Sequence, residues 1–161
     1  MNNLYSVPKL EVEAKIAFPD SSKSVMTLFL SEHARAHSGY ERLSDLLNGQ
    51  DAFLPAKTIE DEFVVLNVES LLYVEVDAHF EFGDDTLDEA ASELDQVLRL
   101  DIDVHLSDGS SLQGTIAYVL PPAQRRLQDV LNFDERFLIV RDHDRVCFIN
   151  RRHIVKASPK A

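Results

Sequence analysis

The stretch Arg42-Leu43-Ser44-Asp45-Leu46-Leu47-Asn48 is written a second time as Arg126-Leu127-Gln128-Asp129-Val130-Leu131-Asn132, 84 positions later. The register holds onward, so that Phe53-Leu54 falls on Phe137-Leu138. Farther downstream the offset becomes 83, with Val65-Leu66-Asn67 on Phe148-Ile149-Asn150 and Leu71-Leu72 on Ile154-Val155. Upstream it becomes 88, setting Asp20 on Asp108, Thr27 on Thr115 and Leu28 on Ile116. Two unrelated strands share apolar alternation as a matter of course, but they rarely share Arg, Asp, Asn and Thr in one order. We read this as a duplicated domain, with a first unit over 8–78 and a second over 84–158. Units of about 75 residues bury little core alone, so each is expected to lean on the other or on a neighbouring subunit.

Around the motif the pattern is that of short strands. Leu10, Val12, Ala14, Ile16 and Phe18 alternate with Glu11, Glu13, Lys15 and Ala17, Pro19-Asp20-Ser21-Ser22 turns the chain, and Val25–Leu30 returns. Apolar runs at 52–56, 63–66 and 71–76 complete five strands, with the Arg42–Asn48 motif between the second and third. The second unit repeats the plan. Ile102, Val104 and Leu106 alternate with polar residues, Ser107-Asp108-Gly109-Ser110 makes a hairpin turn, and the return strand at 112–120 contains Gly114, a bend or bulge signal. Segments 137–140 and 146–149 form another hairpin, Ile154-Val155 opens the last strand, and residues 157–161 are expected to fray. Between the units, Leu87, Ala90, Ala91, Leu94, Val97 and Leu98 fall on one helical stripe behind a Thr86/Glu89 capping box, which predicts an amphipathic helix over 86–100.

Composition excludes several classes. At 45% apolar and 27% charged the chain is a folded domain rather than a disordered or membrane one, and no apolar run reaches the ~18 residues of a membrane helix. The opening residues are not a signal peptide, and the single Cys147 forms no internal disulfide, so the expected compartment is the cytoplasm. The net charge of −12 is uneven: residues 60–110 hold 16 acids against Arg99 alone, whereas 123–161 hold nine Lys or Arg against five acids. Such asymmetry lets an acidic middle meet a basic tail, within one chain or between copies, or it serves solubility only. A chain this acidic is a poor generic binder of phosphate backbones; no DNA is expected, and RNA is disfavoured.

The order of elements, five short bent antiparallel strands preceded by a helix, resembles the Sm-like small barrel of bacterial proteins. The resemblance reaches residues: Asp45-Leu46-Leu47-Asn48 and Asp129-Val130-Leu131-Asn132 stand where the first Sm motif ends in Asp-x-x-Asn, and Gly114 stands where Sm proteins keep a glycine. The basic ending of the second Sm motif is replaced by Asn150-Arg151-Arg152-His153 and by Asn67-Val68-Glu69-Ser70. The resemblance implies a mainly β fold of two tandem five-stranded antiparallel barrels with one connecting amphipathic helix. It implies a non-enzymatic interaction or assembly module, joining through exposed edge strands in self-association or with a protein partner. It also nominates Asn48 and Asn132 for contacts to RNA bases, oriented by Asp45 and Asp129.

Two readings of the motif stand side by side. An amide offers donor and acceptor to a base edge. Equally, Leu43, Leu46 and Leu47, and Leu127, Val130 and Leu131, would pin one helical turn to the barrel, with Asp capping it and Asn taking a left-handed exit. Arg125, Arg126, Arg151, Arg152 and His153 could hold phosphate or balance the acidic middle. His33 and His37 have the spacing of two zinc ligands on a helix, which would make a metal-dependent enzyme, but no third ligand and no His-Glu-x-x-His pattern accompanies them. His105 and His143 lack a nucleophile or base partner. No catalytic residue, metal or cofactor is expected.

Overall fold

The computed structural model describes residues 9–32, 40–82 and 97–160. The alternating segments are strands: β1 (Lys9–Ala17), β2 (Lys23–Ser31), β3 (Phe53–Thr58), β4 (Phe63–Asn67) and β5 (Tyr73–Asp77) in the first half. The second half holds β6 (Val97–Leu106), β7 (Ser111–Val119), β8 (Phe137–Asp142), β9 (Arg145–Asn150) and β10 (Ile154–Pro159). The repeated motif is a single helical turn in both places, α1 (Leu43–Leu47) and α3 (Leu127–Leu131); α2 (His79–Phe82) follows β5. Short 3-10 turns at Val68–Ser70 and Arg151–His153 precede the last strand of each half.

All ten strands form one antiparallel sheet in the order β10-β6-β7-β8-β9-β5-β1-β2-β3-β4. The first half therefore runs β5-β1-β2-β3-β4 and the second β10-β6-β7-β8-β9, the same order, and the two meet where β5 pairs with β9. This corrects the expectation of two closed barrels: the sheet is open and continuous. The reason lies in β5, whose Tyr73, Val74 and Val76 are all buried. Its two apolar faces are covered by different side-chain clusters, and β5 sits inside the sheet with β1 on one edge and β9 on the other.

Two further expectations are corrected. Residues 97–100, assigned to the end of the 86–100 helix, already belong to β6, because Leu98, Leu100, Ile102, Val104 and Leu106 continue a period of two and Val97–His105 pair in register with β7. The rest of that helix, 86–96, lies outside the described residues. Residues 157–160 do not fray: β10 pairs with β6 as far as Pro159, and Lys160 N donates to Asp101 O at 2.8 Å. Gly114 marks a close approach of strands. A Cβ there would sit 2.5 Å from Val140 Cγ1 and 2.6 Å from Arg141 O, so only hydrogen lets β8 cross β7 at this point.

Two cores lie on opposite faces of the central strands. One gathers Val12, Ala14, Ile16, Leu28, Leu30, Leu43, Leu47, Val74 and Val76 from the first half, with Phe137, Val146 and Phe148 from the second. The other gathers Ile102, Val104, Ile116, Val130, Leu138 and Ile149 from the second half, with Ala17, Leu72 and Tyr73 from the first. Each half thus lends side chains to the other's core, which answers the shortage of apolar volume in units this small.

Candidate functional site

Of the residues singled out by the sequence, Asn48, Arg151 and Arg152 line one cavity at the seam between the halves, whereas Asp45, Arg126, Asp129 and Asn132 do not line it. Each copy of the motif is built alike. The backbone N–H of Arg42 donates to the Asp45 carboxylate at 2.8 Å, and that of Arg126 to the Asp129 carboxylate at 3.1 Å, so the acid three residues into each turn caps it. Arg126 also forms an ion pair with Asp129 at 3.0 Å, which holds the Asp129 carboxyl below its usual range. The expected left-handed exit is absent: Asn48 has φ −95 and ψ 7, Asn132 φ −89 and ψ 4.

The two asparagines differ in what they hold. Asn48 Oδ1 accepts from Phe137 N at 2.7 Å, and its Nδ2 donates to Phe137 O at 3.4 Å. The whole amide is spent across the seam on one peptide of β8, as a strand neighbour would spend its backbone. Asn132 is exposed, and among the described residues its side chain has no hydrogen-bond partner.

A second pair of asparagines, aligned by the repeat but not singled out as site residues, behaves the same way. Asn150, fully buried, accepts from Arg152 N at 3.1 Å and donates from Nδ2 to Glu69 O at 2.9 Å and Leu71 O at 2.8 Å, again across the seam. Its counterpart Asn67 accepts from Glu69 N at 3.2 Å in the same local turn, but it is exposed and its Nδ2 has no partner among the described residues. The signal was present in the sequence as the Asn67/Asn150 match, and burial alone tells the two apart.

Arg126, Arg151 and Arg152 of the basic cluster each lie beside a carboxylate. Arg152 lies 3.4 Å from the Glu69 carboxylate; Arg151 lies 3.6 Å from Glu135 and donates to Val130 O at 2.7 Å. Arg136 crosses the seam to Leu47 O and Asp51 O at 3.4 and 3.2 Å. A polar cavity of about 330 Å³ opens here, lined by Asn48, Glu69, Asp134, Glu135, Arg136 and Arg151 among others. Acids and bases alternate around it, so it offers no concentrated positive field to a phosphate chain. Glu135 Oε2 and Arg151 Nε and Nη2 are buried in it without a hydrogen bond.

The sheet ends on an exposed edge of another character. Phe137, Val146 and Phe148, which seat β8 and β9 on the first core, are 0% exposed; their counterparts Phe53, Phe63 and Val65 on β3 and β4 are 59, 66 and 55% exposed. The first half thus displays in solvent the surface that the second half buries. Fully burying a Phe or Val is worth about 1.5–3 kcal/mol, so a surface of this kind has much to gain from a partner.

His33 and His37 lie outside the described residues, and among the described residues no group of three His, Cys, Asp or Glu could hold a metal. No described helix is long and apolar enough to cross a membrane. No protein-family model, no curated protein and no solved structure matches the chain.

Proposed function

We propose that this chain is a non-enzymatic, cytoplasmic assembly module of Sm-like kind, in which a duplicated five-stranded unit docks edge to edge and leaves the β4 edge for a further protein strand. The observation that carries the reading is the contrast between Phe137, Val146 and Phe148, fully buried, and their solvent-facing counterparts Phe53, Phe63 and Val65. An unpaired strand edge flanked by exposed aromatics is a template for strand addition. The common strand order of the halves and the matched geometry of α1 and α3 support the duplication. The acidic total charge, the paired arginines and the commitment of Asn48 to Phe137 weigh against RNA.

The test is the light-scattering mass across a hundredfold range of concentration, with and without nuclease. The reading expects a mass that rises with concentration and ignores nuclease. A mass fixed at one chain overturns it. Nuclease-sensitive mass, with binding of single-stranded RNA that weakens steeply in salt and in Asn132→Ala, would put the RNA reading in its place.

A further inference from the structure

We propose that the occupant of the open β4 edge is β10 of a second copy of this chain, docked head to tail in the register that β9 and β5 already use inside the molecule. The inference rests on the assembly reading above and adds the partner, the surfaces and the direction. The internal seam is the template. There Ile149 faces Tyr73, Phe148 faces Val74, Cys147 faces Glu75, Val146 faces Val76 and Arg145 faces Asp77. Carried through the offset of 83, the same pairing sets Leu66 opposite Lys156, Val65 opposite Ala157, Val64 opposite Ser158, Phe63 opposite Pro159 and Glu62 opposite Lys160. β4 and β10 are the two strands at the ends of the sheet, each with one edge unpaired among the described residues.

Four independent features fit that arrangement. The asparagine left over in each half lies where it is needed: Asn132 corresponds to Asn48 and Phe53 to Phe137, so Asn132 of one copy meets the exposed Phe53 peptide of the next. Asn67, with its Nδ2 unspent, corresponds to Asn150 and would reach the carbonyls of Arg152 and Ile154. The receiving core is less closed than the first at two positions of its helical turn. Leu43 and Leu47 are fully buried under Phe137 and its neighbours, whereas Leu127 and Leu131 remain partly exposed. Finally, the charges are exchanged but stay complementary, since Asp77 facing Arg145 becomes Lys160 facing Glu62.

The external seam is weaker than its template for two stated reasons. Arg136, which bonds two carbonyls across the internal seam, corresponds to Ala52. Pro159 corresponds to Val76, and because Lys160 N turns toward β6, the neighbouring Pro159 turns its nitrogen, without a proton, to the open edge. Assembly is therefore reversible and concentration-dependent, while the internal seam holds.

The interface is heterologous, which makes it testable by mixing. One chain carries Phe63→Glu with Val65→Glu, the other Lys156→Glu with Lys160→Glu; Phe63, Val65, Lys156 and Lys160 are all exposed in the single chain, and circular dichroism and thermal melting check that both variants fold. Each variant alone is expected to lose at least tenfold in self-association. Mixed, they are expected to give a one-to-one dimer that grows no further, because each retains one working edge. Wild-type-like assembly of either folded variant, or a mixture that stays monomeric, overturns the head-to-tail docking and leaves the assembly reading intact. A wild-type chain that never self-associates removes both.

Discussion

Asn48 and Phe137, 89 positions apart, are joined as two strand residues would be: the amide oxygen takes the Phe137 N–H at 2.7 Å and the amide nitrogen gives to the Phe137 carbonyl at 3.4 Å. Phe137 is fully buried while the Asn48 side chain covers its peptide. Asn48→Ala is therefore expected to cost about 1–3 kcal/mol, the penalty for an orphaned buried peptide group. The same change at Asn132, which has no such partner within the described chain, is expected to stay within about 0.5 kcal/mol. Urea denaturation at a concentration where the protein is monomeric measures both.

Asn150 is the more costly of the seam asparagines. One side chain serves two carbonyls, of Glu69 and Leu71, and one N–H, of Arg152, from a fully buried position. Asn150→Ala is expected to destabilise by about 2–4 kcal/mol, whereas Asn67→Ala removes only the cap on the Val68–Ser70 turn and is expected to cost about 0.5–1 kcal/mol. Equal losses at both positions would mean that the seam contributes nothing at Asn150.

What the sequence made legible follows from which signals are local. Strand positions were readable because Val12, Ala14 and Ile16, or Ile102, Val104 and Leu106, alternate at a period of two, and the matched turns were readable because Arg, Asp and Asn recur in one order. The continuous sheet was not readable, since β5 joins β9 across the chain and no local pattern specifies a partner strand. The one sign of it was the two-faced apolarity of Tyr73-Val74 beside Val76, which a half-buried strand lacks. The helix forecast erred at Val97 and Leu98 because those residues satisfy both a helical stripe and a strand alternation, and pairing with Val119 and Tyr118 decides for the strand. Asn48 and Asn132 are alike in sequence and unlike in role, a difference set entirely by which half follows in the sheet.

Backbone demands at the first hairpins of the halves differ. Gly109 takes φ 89 without strain, while Ser21, aligned with it, takes φ 70. Ser21→Gly is expected to stabilise by about 0.5–1 kcal/mol, less whatever the exposed Ser21 Oγ bond to Asp108 contributes. Gly114→Ala runs the other way. The added methyl meets Val140 and the Arg141 carbonyl, and the expected loss is about 1–3 kcal/mol, with the two measured side by side by thermal melting.

Glu81 gives the stability of the chain a pH dependence whose sign is set by burial. Its side chain on α2 is buried and accepts from Ser44 N, in the first turn of α1, at 3.1 Å. Burial raises its pKa above the ordinary 4.5; the Ser44 bond and the Arg42 charge oppose this, while Asp45 adds to it. An acid with a raised folded pKa binds more protons folded than unfolded between those two values. This residue's contribution therefore falls as pH rises from about 4.5 through the folded value, and the cost is complete above it. Glu81→Gln keeps an oxygen for Ser44 N and removes the charge. It is expected to match the wild type at about pH 3, well below the unfolded value, where the carboxyl is protonated in both states, and to exceed it at about pH 7–8. Urea midpoints of the two proteins across that range provide the check: parallel curves would mean that Glu81 ionises in the fold without cost.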